Sequence, residues 1–278
     1  MQIKKTIRLV AIDLDDTLLN HEKEIPQENL DALIEAQNQG IIISLVTGRM
    51  YAATTRYAQA LGLDLPIVTY QGGLIRTGLS HQTLFEAPLS VTSTLEVSRI
   101  LENHKGMLNA AIDDIFFADS ESVIAERYRN FHRMPVQVVG SFSQWLPQQT
   151  KQPLGPIYKL IYQDDATRIP LAMEDLKRLG DQIQVTRSYP HILEIGPKGI
   201  HKGFAIQWLA NHYQVKQEEI MVIGDGGNDI DMFRVAGFSV CMGNGQEAAK
   251  AAAHYIGLPN DQNGVADALY RFVLRKDT

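Results

Sequence analysis

The chain has 278 residues, 45% hydrophobic and 21% charged, with 26 basic against 32 acidic side chains for a formal charge of −6. That balance excludes a disordered or fibrous chain, and the acidic excess argues against a nucleic-acid or anionic-membrane partner. Lone Cys241 excludes an internal disulfide and fits a reducing compartment. The start, MQIKKTIRLVAID, sets basic residues before an apolar run too short for a signal peptide, and no run approaches the ~18 residues of a membrane helix. The expectation is a cytoplasmic protein of one large domain or two moderate ones.

IRLVAI (7–12) reads as a strand buried on both faces, and it runs straight into Asp13, Asp15 and Asp16. A helix follows, with Leu30, Leu33, Ile34 and Gln37 at helical spacing between Pro26 and Gly40. IIISLV (41–46) is a second continuous apolar strand and ends at Thr47-Gly48-Arg49. A helix is expected from about 51 to 60, ending near Gly62. PIVTY (66–70) is a third strand, ending in Gln71-Gly72-Gly73. Strands without alternation, separated by amphipathic helices, indicate a parallel sheet covered on both faces.

From roughly 86 to 196 the pattern changes. MLNAAID, IFFAD, PVQVV, IYKLIY, IQVTRS and ILEIG read as short strands, some close enough to pair antiparallel, with short helices and frequent proline between them. The first grammar then returns. HKGFAIQWLANHYQ is a helix with Phe204, Trp208 and Leu209 on one side; IMVIGD (220–225) and FSVCM (238–242) are strands; QEAAKAAA is a helix. VADALYRFVL closes the chain with Val265, Ala268, Leu269, Phe272 and Val273 on one face. The fold class is therefore α/β: a doubly wound parallel-sheet core from residues 1–85 and 197–278, with an α+β module inserted over 86–196.

Ligands of parallel α/β sheets gather at the C-terminal strand ends. Here those ends carry Asp13-Leu14-Asp15-Asp16-Thr17, Thr47-Gly48-Arg49, Gln71-Gly72-Gly73 and Gly224-Asp225-Gly226-Gly227-Asn228-Asp229, and Lys202 starts a helix. Asp13, Asp15, Asp225 and Asp229 are hard oxygen ligands in excess, tolerable only with a cation, and open carboxylate-and-water sites suit Mg²⁺. Thr47 and Lys202 suit a phosphate, and Gly48 and Gly226-Gly227 permit turns whose N–H groups face an anion. Metal, phosphate and a spare carboxylate together suggest phosphoryl transfer through a carboxylate nucleophile.

Simpler readings fit less well. Asp13, Asp15, Thr17 and Glu24 match an EF-hand at positions 1, 3, 5 and 12, but Leu18 stands where the loop needs Gly and a strand precedes it. A receiver-type acidic pocket does not account for the length or for GDGGNDIDM. The G-x-G-x-x-A run in MGNGQEA (242–248) lies too late in the chain for a dinucleotide fingerprint. Arg49 is open between a substrate contact and a structural ion pair. His191 and His201 read most simply as surface residues, and Trp145 and Trp208 as packing.

IDLDDTLL, VTGR, Lys202-Gly203 and GDGGNDIDM, in that order, resemble the four motifs of the haloacid dehalogenase-like (HAD) phosphatase superfamily, and the insert resembles the class IIB cap of its Cof-type branch. The resemblance implies a Rossmann-like core and a Mg²⁺-dependent phosphatase acting on a small phosphorylated metabolite, with the cap closing over the crevice. Asp13 would be the nucleophile that forms an aspartyl-phosphate, and Asp15 the general acid and then base. Thr47, Gly48, Lys202 and Asn228 would hold the phosphoryl group. Asp13, the Asp15 carbonyl and Asp225 would bind Mg²⁺, with Asp229 as ligand or support. Asp15 is expected to keep a proton while Asp13 stays ionised. Sucrose-phosphate phosphatases and phosphomutases share the motifs, and a non-catalytic phosphometabolite-binding protein on the same fold is the alternative outside enzymes. Two positions depart from the pattern: Asp16 stands where Gly is commonest, and Gln71 where Asn is usual. Asp113, Lys159, Arg187 and Ser188 are candidate cap contacts.

Overall fold

The apolar run before Asp13 forms β1 (Leu9–Asp13), every residue of it buried. In the computed structural model, which describes residues 6–62, 64–130, 134–149 and 154–274, it is followed by α1 (Gln27–Asn38), β2 (Ile42–Val46), α2 (Thr55–Leu61), β3 (Pro66–Thr69), β4 (Leu74–Thr77) and β5 (Thr83–Glu86). Next come α3 (Val91–Leu101), β6 (Met107–Ile112), β7 (Ile115–Ala118), α4 (Val123–Asn130), β8 (Val136–Val138), α5 (Phe142–Trp145), β9 (Ile157–Gln163), α6 (Ile169–Leu176), β10 (Ile183–Tyr189) and β11 (Ile192–Pro197). The last elements are α7 (Lys202–His212), β12 (Ile220–Gly224), α8 (Ile230–Val235), β13 (Phe238–Cys241), α9 (Glu247–Ala252), β14 (Tyr255–Ile256) and α10 (Gly264–Phe272).

The chain divides into two units. One comprises the residues through Arg49, Thr54–Leu84 and those from His201 onward; the other comprises Met50–Ala53 and Phe85–Ile200.

The first unit carries an eight-stranded sheet in the order β14-β13-β12-β1-β2-β3-β4-β5. β1 pairs in parallel with both β2 and β12, and β12 with β13; β4 runs antiparallel to β3. The strand order steps outward in opposite directions from β1 and β12, which creates a crevice between their C-terminal ends. Register aligns Asp13 with Val46 and Ile12 with Ile223, so the segments after β1, β2 and β12 leave the sheet at one level. β1, β3 and β12 are buried along their whole length, consistent with their lack of alternation.

Two local expectations change. The helix predicted from about 51 begins only at Thr55, because Met50, Tyr51 and Ala53 are buried in turns despite fair helix propensity. On α7 the buried stripe is Lys202, Ala205, Ile206, Leu209 and Ala210, with Phe204 and Trp208 half-buried at its margin. The small residues let the helix lie close to the sheet with Lys202 turned inward.

The second unit is a six-stranded sheet, order β10-β11-β9-β6-β7-β8, antiparallel throughout except for the β7–β8 pair. Leu108, Ala110, Leu160, Tyr162, Leu193 and Ile195 from its strands form one core with Val97, Leu101, Phe142, Ile169 and Leu176 from its helices. Lys159 is buried and paired with Glu194 at 3.3 Å, whereas Arg187 and Ser188 are exposed. Among the described residues, no helix is long and apolar enough to cross a membrane.

Candidate active site

Three acids and one lysine meet where β1 and β12 end. Asp13 is the last residue of β1 and is 6% exposed; Lys202, the first residue of α7, is 1% exposed; Asp229, in the turn after β12, is fully buried. Lys202 Nζ donates to Asp13 Oδ1 (2.5 Å) and to Asp229 Oδ1 (2.6 Å). His201 caps α7, its Nδ1 accepting from the Phe204 N–H at 3.3 Å, and so fixes where the helix and its lysine begin. Asp229 Oδ2 accepts from the backbone N–H groups of Asp225 (2.9 Å) and Gly226 (2.8 Å), which folds the Asp225–Asp229 turn on itself. Asp225 Oδ1 accepts from the Thr17 hydroxyl at 3.1 Å.

Carboxylate oxygens of Asp13, Asp225 and Asp229 lie within 4.8 Å of one another. Three carboxylates facing one ammonium leave an excess of two negative charges, the charge of one divalent cation. Burial first, and that excess after it, set the titration behaviour. Burial pushes Asp13 well above the usual carboxylate range, with Lys202 opposing and the charges of Asp229 and Asp225 adding to the rise. Burial, then the Asp229 charge, raises Asp225 to about 6. The ammonium of Lys202 is raised despite its burial, because Asp13 and Asp229 flank it. The acids fit a divalent metal, hard oxygen donors with charge to be neutralised. Asp13 and Asp225 each keep one oxygen outside these bonds, while both oxygens of Asp229 are engaged.

Asp15, two residues from Asp13, faces different neighbours. Arg49 grips it with two bonds, Nε to Oδ2 at 2.7 Å and Nη2 to Oδ1 at 2.5 Å, and Lys23 Nζ lies 3.3 Å from Oδ1. Arg49 is itself buried, donates to the Tyr57 hydroxyl (2.9 Å) and packs against that ring; the hydroxyl in turn donates to the Lys23 carbonyl (3.1 Å). Burial acts to raise the Asp15 pKa, but the Arg49 bonds and charge, helped by Lys23, overcome it and hold the carboxyl at about 2. Arg49 and Lys23 thus lower the pKa of Asp15, whereas burial beside like charges raises that of Asp13.

Thr47, Gly48 and Asn228 line the same rim. Thr47 follows β2, is 2% exposed, and its hydroxyl accepts from the Arg49 N–H at 3.2 Å. Asn228 Nδ2 donates to Gln71 Oε1 at 3.3 Å, and Gly48 lies beneath the Gln71 amide. All eight site residues named from sequence thus sit at the end of β1, on the loops after β1, β2 and β12, or at the start of α7.

Other residues escaped the sequence reading. Thr17, Lys23, Tyr57, Gln246 and Asn244 reach the site through bonds across the fold: Gly227 N–H to Gln246 Oε1 (3.2 Å) and Asn244 Nδ2 to the Asp16 carbonyl (2.7 Å) brace two of its loops. Gln246 N–H also bonds the Asp225 carbonyl at 2.8 Å. The two departures from the family pattern share one cause. Asp16 (φ 59°) and Gln71 (φ 60°) both have left-handed backbone, which Gly adopts freely and Asn or Asp more readily than most residues. Asp16 is exposed and paired with Lys23 at 3.2 Å, away from the Lys202 cluster.

Comparison with known proteins decides the family. The family model for haloacid dehalogenase-like hydrolases matches residues 10–269. The chain belongs to the haloacid dehalogenase-like hydrolases. It is 31% identical over 268 residues to the 5-amino-6-(5-phospho-D-ribitylamino)uracil phosphatase YcsE of Bacillus subtilis, covering 96% of each chain. It is 29% identical over 281 residues to the chloroplastic endoribonuclease YBEY of Arabidopsis thaliana, a match that takes in 97% of this chain but only 47% of that longer one. The crystal structure of a haloacid dehalogenase-like hydrolase from Bacteroides thetaiotaomicron superposes with a TM-score of 0.84 at 30% identity, covering 96% of this chain and 99% of that one. This HAD hydrolase is of the Cof type, and its α/β core is the one expected from the strand pattern.

Proposed function

We propose that this HAD-type phosphatase hydrolyses monophosphate esters of small metabolites in the cytoplasm, with Mg²⁺ at the acid cluster and a phosphoryl group carried transiently on Asp13. The observation behind this reading is the buried Lys202 ammonium clasped by Asp13 and Asp229 beside Asp225. Desolvating that many charges costs several kcal/mol per ion and adds no apolar packing, which a purely structural role does not repay.

Asp13, Asp225 and the Asp15 carbonyl would hold the metal. Bound there, Mg²⁺ supplies the charge neutralisation that lets a carboxylate meet a phosphate dianion. Asp229, with both oxygens engaged, would orient Lys202 and the 225–226 backbone rather than ligate. The Thr47 hydroxyl, whose oxygen already accepts from Arg49 N–H, keeps its proton for a phosphoryl oxygen; Gly48 N–H, Lys202 and Asn228 would take the others.

Asp13 attacks phosphorus, and the bond to the ester oxygen breaks. Asp15 gives that oxygen a proton, then removes one from the water that attacks the aspartyl-phosphate, which frees inorganic phosphate and restores Asp13. Gripped by Arg49, Asp15 is in the proton-accepting form of the second half-reaction. Released from Arg49, Asp15 would keep only Lys23 against the effect of burial, and its pKa would rise toward the form the first half-reaction needs.

YcsE acts on a phosphorylated ribityl compound by its name, which favours a sugar, polyol, nucleotide or cofactor-precursor phosphate here. Phosphate release from p-nitrophenyl phosphate, abolished by EDTA and restored by Mg²⁺, tests the proposal. No release from folded protein in Mg²⁺ contradicts it.

A further inference from the structure

The turn after β3 makes a demand that none of the four motif segments explains. Tyr70 (φ 52°), Gln71 (φ 60°) and Gly72 (φ 115°) are three consecutive residues with left-handed backbone. Non-glycine residues adopt this region at a cost, and such outliers persist where the surroundings over-determine them. The surroundings here are the candidate active site. Tyr70 N–H bonds the Arg49 carbonyl (3.0 Å) and Gln71 N–H bonds the Thr47 carbonyl (3.1 Å), so the turn is laced to the Thr47–Arg49 loop. On its other side, a Cβ on Gly72 would lie 2.9 Å from the His201 carbonyl, which seats the turn against the start of α7.

The Gln71 side chain uses this seat. Its Oε1 accepts from Asn228 Nδ2 at 3.3 Å, and its Nε2 lies where a Cβ on Gly48 would approach it to 2.6 Å. One side chain therefore spans from the Gly48 loop to the Asp225–Asp229 loop. The bare Cα of Gly48 is what gives the amide room. A side chain one methylene shorter on the same backbone has less reach toward Asn228.

We infer that Gln71 is a positioning residue of the phosphoryl site, bracing Asn228 across Gly48 and so fixing the side chain that meets a phosphoryl oxygen opposite Thr47. This rests on the reading of Asn228 as a phosphoryl contact. It adds a fifth segment to the site and gives the strained turn a function. It also separates binding from stability: the left-handed backbone costs the fold, while the side chain serves the ligand.

Gln71→Gly tests this, because it removes the side chain while permitting φ near 60°. The chain should keep or raise its Tm, yet bind inorganic phosphate in Mg²⁺ about three- to tenfold more weakly by calorimetry, as expected for one lost neutral hydrogen bond. KM for p-nitrophenyl phosphate should rise by a similar factor, with kcat changed less. Asn228→Ala should weaken phosphate at least as much, and Gln71→Gly/Asn228→Ala no more than Asn228→Ala alone, within twofold. Gly48→Ala, whose Cβ displaces the amide, should reproduce the Gln71→Gly effect and add nothing in the Gln71→Gly background. Multiplicative losses in the double variant, or phosphate affinity unchanged by Gln71→Gly, overturn the inference. Phosphate binding is read without turnover, so a wild-type chain that binds phosphate but releases no p-nitrophenol would count against hydrolysis and leave the Gln71–Asn228 coupling measurable.

Discussion

The pocket around Lys202 and the network around Arg49 flank the same strand end, yet each handles its acid differently. The first buries Asp13 among like charges and raises its pKa; the second pins Asp15 with Arg49 and Lys23 and lowers it to about 2. The difference lies in charge balance. Around Arg49, Asp15 and Asp16 face two cations, Arg49 and Lys23, and the group is neutral as it stands. Around Lys202, three carboxylates face one cation. A region that balances itself does not call for a metal; one left two charges short does. Two acids of one short loop thus sit in opposite electrostatic surroundings.

Breaking the first region should have the largest effect. Asp13→Asn is expected to lower kcat/KM by roughly 10⁴-fold or more in a phosphatase assay, since members of a covalent catalytic unit do not contribute in shares. Lys202→Met should remove nearly as much activity and destabilise the metal-free fold by about 3–5 kcal/mol in urea titration, because it leaves buried carboxylates unpaired; Mg²⁺ should recover part of that stability.

Breaking the second region should cost less. Arg49→Met is expected to reduce kcat about 10²-fold, the scale of a misplaced general acid–base group, and Arg49→Lys should not restore it, since an ammonium cannot reproduce the bidentate grip. It should also alter acid stability. A depressed pKa contributes stability that is present above the unfolded value near 4 and is lost as pH falls through about 2. Denaturation followed between pH 5 and 2 should therefore show a shallower loss in Arg49→Met than in the wild type.

Metal addition sharpens the comparison directly. Mg²⁺ at a hundred times its Kd should stabilise the wild type by about 2.7 kcal/mol. The same addition should stabilise Arg49→Met by a similar amount and Asp225→Asn by much less. The smallest effect belongs to Asp16→Gly, which exchanges an exposed ion pair for an unstrained left-handed residue. It should leave stability within about 1 kcal/mol and turnover within twofold.

The contrast also separates what the chain reveals in sequence from what it does not. β1, β2 and β12 are legible because strands buried on both faces are written as unbroken apolar runs. Asp13, Thr47 and Asp225 follow because the same runs say where the strands end. Lys202 is legible only through its motif: its helix was read with Phe204, Trp208 and Leu209 on one side, and of these Leu209 alone is buried, beside Ala205, Ile206 and Ala210. Of the Arg49 network, the sequence offered an ion pair at Arg49 as one of two readings but not its partners. Its members come from residues 15, 23, 49 and 57, and their meeting depends on the left-handed Lys23 (φ 60°) and on Tyr57 bridging from α2. No periodicity encodes such a meeting. β4 and β5 were missed because LIRT and TLFE show neither an unbroken apolar run nor an alternation.

The most direct test of the central claim is to acid-quench the wild-type chain during turnover and map phosphoryl groups by peptide mass spectrometry. The account predicts one added phosphoryl group on the peptide carrying Asp13, assigned by fragmentation to Asp13 and not Asp15, lost in Asp13→Asn and accumulating when Asp15→Asn slows hydrolysis of the intermediate. Turnover by Asp13→Asn at the wild-type rate, or a phosphoryl group on any other side chain, would contradict it.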